Sequence, residues 1–367
     1  MTKRSFESFI RYPSDPKEVP SKPEKLSHNI MERFFLTGKV SVITGGSGSI
    51  GAAIVEGYAQ AGSNIAIMDI RENLELCVRL STTYNIKAKF YRVNLSDPQE
   101  VKKVIQTIEI DFGTIDIFVA NAGIAWNFGS ILNEDSTPEA WKRVFDVDVN
   151  SIFYCCKYVG EIFKKKGKGS IIMTASMSAH IVNVPNYQTC YNAAKAAVLH
   201  MGRSLAIEFV DFARVNTVSP GYTNTPLSDP VSVEERSKWW ALTPKGRECE
   251  PDELVGAFIY LASDASSFTT GSDIRVDGSC KSIKFGQELN KKSRKVSFRR
   301  LANQDIYFEK IRVFKAGISL NILAWNNRIG RYGSILLVSR TIVMINRDGR
   351  GHQYSVVRGE ILRFTED

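Results

Sequence analysis

The sequence predicts an α/β fold, a doubly wound parallel sheet of seven strands with helices on both faces. From Lys39 onward short β-branched runs alternate with longer helical patterns, the order expected when each parallel strand is reached by a crossover. The first run leads straight into a glycine-rich turn, and an apolar helical pattern follows through Ala61. Strands are expected at Val40 to Thr44, Asn64 to Asp69, Ala88 to Val93, Ile115 to Ala120, Ser170 to Thr174, Arg214 to Ser219 and Asp273 to Val276, forming one domain over residues 39–280.

Pro98 stands just past Asp97, where its missing N–H costs nothing because the first donors of a helix are unpaired anyway, and Gly113 closes the same helix. Residues 222–250 are rich in Pro, Ser and charge, and they break the strand–helix rhythm. They read as a long insert beside the carboxyl edge of the sheet, where inserts commonly cover substrates. Trp239 and Trp240 in this insert serve either as a lid or as its packing.

With 367 residues, 43% hydrophobic and 24% charged, the chain is long enough to bury a sizeable core. Its formal charge of +9 suggests an anionic partner until it is divided: residues 281–367 hold 18 Lys and Arg against 7 Asp and Glu, leaving 30 against 32 before them. The body is slightly acidic, and nucleic acid is not its expected partner. Cys77, Cys155, Cys156, Cys190, Cys249 and Cys280 show no C-x-x-C pairing, so buried free thiols are expected rather than disulfides or a metal site. Residues 1–38 carry charges of both signs and four prolines but no apolar signal segment; they read as an arm, with the cytoplasm as the default location. The apolar stretch Ser334 to Ile345 is broken by Arg340 and is shorter than the ~20 residues of a membrane span.

Two groups of residues point to chemistry. The first is Thr44-Gly45-Gly46-Ser47-Gly48-Ser49-Ile50-Gly51, with a strand before it and a helix after it. Glycines there permit a tight turn and close backbone approach to a pyrophosphate, while the helix start offers free N–H donors. Asp69 ends the second strand 18 residues past Gly51, placed to accept from ribose hydroxyls and to repel a 2′-phosphate. That favours NAD(H); Arg71, able to pair with a 2′-phosphate, leaves NADP(H) as the alternative. The second group is Tyr191 and Lys195, four residues apart on a predicted helix and so on one face. A phenol with a reference pKa of about 10 is a poor base at neutral pH, and an adjacent ammonium supplies part of the needed drop. Ser176 and Ser178 follow the fifth strand, where doubly wound folds bind ligands, and a serine there can polarise a carbonyl.

In this order the motifs resemble the short-chain dehydrogenase/reductase family, whose Rossmann-type fold the resemblance implies over about residues 38 to 280. Further matches are Asn121-Ala122-Gly123, Asn150 within Asp148-Val149-Asn150, and Ser219-Pro220-Gly221-Tyr222-Thr223-Asn224-Thr225. The resemblance implies Tyr191 as general acid/base, Lys195 as its modulator and ribose ligand, Ser176 as holder of the substrate oxygen, and Asn150 as support for a relay water. It also implies that Asn121, Ala122 and Gly123 line the cofactor cleft, that Pro220, Gly221 and Thr225 fix the nicotinamide amide, and that Asn94 takes the adenine-contacting place usually held by aspartate. Ser49 departs from the usual glycine or alanine of the turn. The spacing from Ser176 to Tyr191 is two residues longer than the commonest, so Ser178 is the alternative to Ser176.

Within that family Ser176 to Asn183, Ala213 to Asn216 and Lys238-Trp239-Trp240 are similar to the fungal sorbose reductase, mannitol dehydrogenase and arabinitol dehydrogenase group, implying a sugar or polyol substrate. Ser178, His180, Asn183 and Gln188 are the candidate substrate contacts. Asp69 is like the NAD-using members of the group. A homo-oligomer, tetramer or dimer, is implied as well. Residues 281–367 have no counterpart there: Lys291 to Arg300 is a basic run expected to be solvated and disordered, with nucleic acid or acidic lipid as the other reading, and Arg340 to Val357 resembles a hairpin about Asp348-Gly349. A nucleotide-binding protein without turnover is the alternative function, supported by Ser49 and the tail.

Overall fold

The computed structural model describes residues 25–184, 186–226 and 231–280, and beyond them the backbone of six strands between 306 and 363. The chain divides into two compact units, Met1–Ile283 and Lys284–Asp367.

The first unit is built on β1 (Val40–Thr44), β2 (Asn64–Asp69), β3 (Ala88–Arg92), β4 (Ile117–Ala120), β5 (Ser170–Thr174), β6 (Arg214–Pro220) and β7 (Asp273–Val276). All pair in parallel, in the order β3-β2-β1-β4-β5-β6-β7. The expected strands are present, with β3 ending one residue early, β4 starting two residues late and β6 running one residue further. Strand order reverses between β1 and β4, which opens a crevice beyond Thr44 and Ala120.

Both faces of the sheet are covered, and the strands read as nearly unbroken apolar runs for that reason. Alternate side chains feed two cores. Val42, Ala66, Met68, Phe118 and Ala120 point into one, with α3 (Pro98–Phe112), α5 (Ser151–Lys166) and α6 (Thr189–Glu208). Ile43, Ile65, Ile67, Ile117 and Val119 point into the other, with α1 (Ser49–Gln60), α2 (Leu74–Tyr84) and α8 (Asp252–Ala262). Asp97 caps α3 by accepting from the N–H groups of Gln99 and Glu100, Pro98 opens it, and Gly113 ends it at a φ of 76°. Helices α1 and α8 touch closely: a Cβ on Gly57 would lie 2.2 Å from Val255 Cγ1, and the Tyr58 hydroxyl donates to the Phe258 carbonyl over 2.9 Å.

Two features depart from the expected pattern. Residues 222–250 contain a helix, α7 (Val233–Leu242), whose first turn is capped by Ser232. The segment from α4 (Pro138–Phe145) into α5 passes through a π turn at Asp146–Asn150, which buries Asp148 and Val149. The six cysteines are free thiols, five buried and Cys249 partly so. Among the described residues no helix is long and apolar enough to cross a membrane.

The second unit is an antiparallel sheet in simple meander order, β8 (Ile306–Lys315), β9 (Ile318–Asn327), β10 (Tyr332–Val338), β11 (Thr341–Ile345), β12 (Gly351–Val357) and β13 (Glu360–Arg363). The expected hairpin corresponds to β11 and β12, which pair from Ile345↔Gly351 to Thr341↔Ser355. Its Asp348-Gly349 turn, the basic run Lys291 to Arg300 and residues 1–24 of the arm lie outside the described residues.

Fully buried Phe258 fills the α1–α8 seam, so Phe258→Ala is expected to lower unfolding free energy by about 3–5 kcal/mol in urea titrations. A loss below about 1 kcal/mol would contradict the packing described for α8.

Candidate active site

The glycine-rich turn follows β1 because no side chain fits in it. Gly45 has a φ of +66°, and a Cβ there would lie 2.9 Å from Ala122 Cα; a Cβ on Gly51 would meet the Gly45 carbonyl oxygen at 2.0 Å. The turn is thereby pressed against Asn121-Ala122-Gly123, the segment after β4. Thr44 Oγ1 joins the two by accepting from the N–H groups of Asn121 and Ala122 at 2.9 and 3.1 Å, and Thr174 Oγ1 donates to Asn121 Oδ1 at 3.1 Å. Helix α1 starts without a side-chain cap, so the first N–H groups after Gly48 are available to an anion. This uncapped helix start and the space left by missing Cβ atoms fit a dinucleotide pyrophosphate. Ser49 is the first residue of α1, and Ile50 packs on the second core.

Asp69 is buried at the end of β2, and both of its oxygens are engaged: Oδ2 accepts from Ser47 N–H at 3.1 Å and Oδ1 from Arg71 N–H at 2.9 Å. Ser47 Oγ donates to the Arg71 carbonyl at 2.9 Å. The Arg71 guanidinium reaches over the turn, 3.6 Å from where a Gly48 Cβ would stand.

Tyr191 and Lys195 share one face of α6, as their spacing predicts. Lys195 is 3% exposed. Its Nζ donates to the Thr174 carbonyl at 3.2 Å, lies 5.5 Å from the Tyr191 ring centre, and faces Asp148 Oδ2 at 3.1 Å. Desolvation opposes the Lys195 charge, yet Asp148 and Tyr191 hold its pKa above the ordinary lysine value. Burial raises the Tyr191 phenol above its usual range; Lys195 pulls it down, Asp148 pushes it up, and a hydrogen bond with Ser176 pulls it down. Lys195 therefore offsets a desolvation penalty rather than making the phenol acidic outright. That contact sets Ser176 beside the phenol. Ser176 Oγ also accepts from Ser178 N–H at 3.1 Å.

The Asn150 amide donates to Asp146 Oδ1 at 2.8 Å within the π turn, and Asp148, two residues earlier, faces the Lys195 ammonium. Asn94 Oδ1 turns back to accept from Ser96 N–H at 3.1 Å, which occupies part of its capacity for an adenine. His180 Nε2 is tied to Asp273 at 2.9 Å and Ser219 at 3.3 Å, so it serves the β6–β7 edge. Ser178, Asn183 and Gln188 do come together: Ser178 Oγ donates to Asn183 Oδ1 at 2.9 Å and accepts from Gln188 Nε2 at 3.0 Å. Asn183 reaches Tyr222 Oη at 3.5 Å, and Tyr222 stacks on Trp239 with ring centres 4.7 Å apart and planes at 4°. Trp239 is buried, its indole N–H donating to Asn186 at 3.2 Å, so it packs the insert. Gly221 follows Pro220 where a Cβ would lie 2.7 Å from Asp277 Cα, and Thr225 is half-buried. Asp148, Thr44, Thr174 and Tyr222 were not singled out as site residues by the sequence.

Residues 45–279 match the family model described as enoyl-(acyl carrier protein) reductase. A probable NADP-dependent mannitol dehydrogenase of Yarrowia lipolytica is 54% identical over 261 residues, 71% of this chain and 94% of that one. A sorbose reductase of Candida albicans is 50% identical over 262 residues, 71% and 93% of the two chains. The crystal structure of NADPH-dependent 3-quinuclidinone reductase from Rhodotorula rubra is similar with a TM-score of 0.68 and 39% identity, covering 71% of this chain and 98% of that one.

The two serines separate by their contacts. Ser176→Ala is expected to lower kcat by about 10²–10³, the loss typical of one donor to a developing oxyanion, whereas Ser178→Ala is expected to act mainly on KM. The reverse pattern in steady-state kinetics would assign the substrate oxygen to Ser178.

Proposed function

The chain belongs to the short-chain dehydrogenase/reductase family of oxidoreductases, and from that premise we propose that it interconverts a ketose and a polyol with NADP(H). The observation that carries the chemistry is the set of half-buried Tyr191 with buried Lys195 and Ser176 at the carboxyl edge of β5, beside a cradle shaped for a pyrophosphate. The nicotinamide supplies or accepts the hydride. In reduction the Tyr191 hydroxyl gives its proton to the substrate oxygen, which Ser176 holds, and in oxidation the phenolate takes the proton back. Lys195, held charged, stabilises the phenolate that forms.

Two observations support NADP(H) over the NAD(H) expected from Asp69. Both carboxylate oxygens of Asp69 accept from backbone N–H groups, so the residue shapes the turn. Arg71 extends a guanidinium over that turn, where it suits a 2′-phosphate. The relatives named above as NADP-dependent agree with this reading.

For the substrate, the linked amides and hydroxyls of Ser178, Asn183 and Gln188 offer several donors and acceptors to a polyhydroxylated chain, as a sugar-type ligand requires. The names of the mannitol and sorbose enzymes point the same way. We place self-association, the homo-oligomer, on the α5–α6 face, where Phe153 is exposed beside a groove of about 670 Å³.

Tyr191→Phe is expected to cut turnover of NADPH with a ketose panel by about 10²–10⁴ while leaving NADPH binding, read by fluorescence titration, unchanged. Arg71→Ala is expected to weaken NADPH binding about tenfold, roughly 1.4 kcal/mol, and to leave NADH binding alone. A wild-type protein that binds NADH more tightly than NADPH would overturn the cofactor assignment, and one that binds nucleotide without turning over any ketose or polyol would be a binding protein.

A further inference from the structure

Asp148 is fully buried, and two donors converge on it from different parts of the fold. Its Oδ1 accepts from Ile124 N–H, just past Asn121-Ala122-Gly123, at 2.8 Å, and its Oδ2 faces Lys195 Nζ at 3.1 Å. Among the described residues Oδ2 has no hydrogen-bond partner besides that ammonium. A carboxylate has an acceptor for each donor, whereas an amide at this place would turn an N–H₂ group toward either an N–H or an ammonium. The chain after β4 packs directly on this pair: a Cβ on Gly123 would stand 2.9 Å from Asp148 Oδ2 and 3.2 Å from Lys195 Nζ. The π turn is what aims Asp148 inward from the junction of α4 and α5.

We propose that Asp148 is a positioning residue of the reaction, bridging the Ile124 amide to the Lys195 ammonium and setting, through its charge, the pH at which the Tyr191 hydroxyl releases its proton. This rests on the reading of Tyr191 as the acid/base group. The charged and titratable side chains facing Tyr191 are Lys195 from its own helix and Asp148 from the π turn, with Ser176 hydrogen-bonded to it. Close by, Cys190 is pushed up to about 11 by burial and by Asp148, and Tyr222 is raised by burial, so both stay protonated near neutral pH.

The sign follows from electrostatics. Tyr191 must be deprotonated to oxidise an alcohol, so that activity falls as pH drops through the Tyr191 pKa. The negative charge of Asp148 keeps the proton on Tyr191. Removing it while Lys195 keeps its place and charge therefore moves the acid limb to lower pH.

The test compares the full-length wild type with Asp148→Asn in two readouts. In pH profiles of kcat/KM for polyol oxidation, the acid limb of Asp148→Asn is expected about one pH unit lower, a tenfold change in proton affinity. In ultraviolet difference titrations of tyrosinate, each protein minus its Tyr191→Phe counterpart, the same downward shift is expected without any substrate. An unmoved limb, or one displaced upward, overturns the charge role. Because the tyrosinate titration needs no turnover, it tests Asp148 even if the ketose and polyol reading fails, and loss of all wild-type turnover with a normal titration would count against that reading alone. Should Asp148→Asn not fold, Asp148→Ser takes its place with the same expected direction.

Discussion

A buried ammonium is the constraint around which the catalytic half of this fold is arranged. Taking a charge the size of a lysine head group out of water costs several kcal/mol unless partners replace the lost hydration. Here the partners are the Thr174 carbonyl at the end of β5 and the Asp148 carboxylate from the π turn. Each comes from a separate stretch of chain, so Lys195 draws β5, α6 and the α4–α5 junction to one point. Gly123 is required at that point because any side chain would collide with the pair. Tyr191 is then placed by helix geometry alone, one turn before Lys195, and Ser176 by its position directly after the last residues of β5.

The cofactor side rests on close backbone approach instead of charge. Gly45, Gly51 and Gly123 let three chain segments meet at distances a Cβ would forbid, and Thr44 and Asn121 stitch the ends of β1, β4 and β5 with hydrogen bonds. Asp69 contributes by accepting from the turn's own Ser47 and Arg71 amides.

How much of this was legible in the sequence depended on how local each cause was. The seven strands, the helix opened by Pro98 and closed by Gly113, and the Tyr191–Lys195 face follow from periodicity and short-range chemistry, and the structure places them close to where the pattern did. The contact of Asp148 with Lys195 was not legible because a π turn, which no residue in Asp146 to Asn150 announces, resets the helix phase there. Helix α7 was hidden because Glu234, Glu235, Arg236 and Lys238 leave it little apolar periodicity, with Trp239 as its one buried residue. The bond of His180 to Asp273 spans 93 residues, beyond the reach of local reasoning.

The tight seam between α1 and α8 has a consequence for how the two halves of the site respond to change. The helix proposed to take the phosphate is clamped along its length by Gly57 against Val255 and by Tyr58 on Phe258, so its start is held in shape by packing within the fold. The side proposed for the substrate rests instead on the insert after β6, where Tyr222 and Trp239 stack and Arg236 pairs with Glu248. Substrate scope can thus drift through substitutions confined to that stretch while the redox partner stays the same.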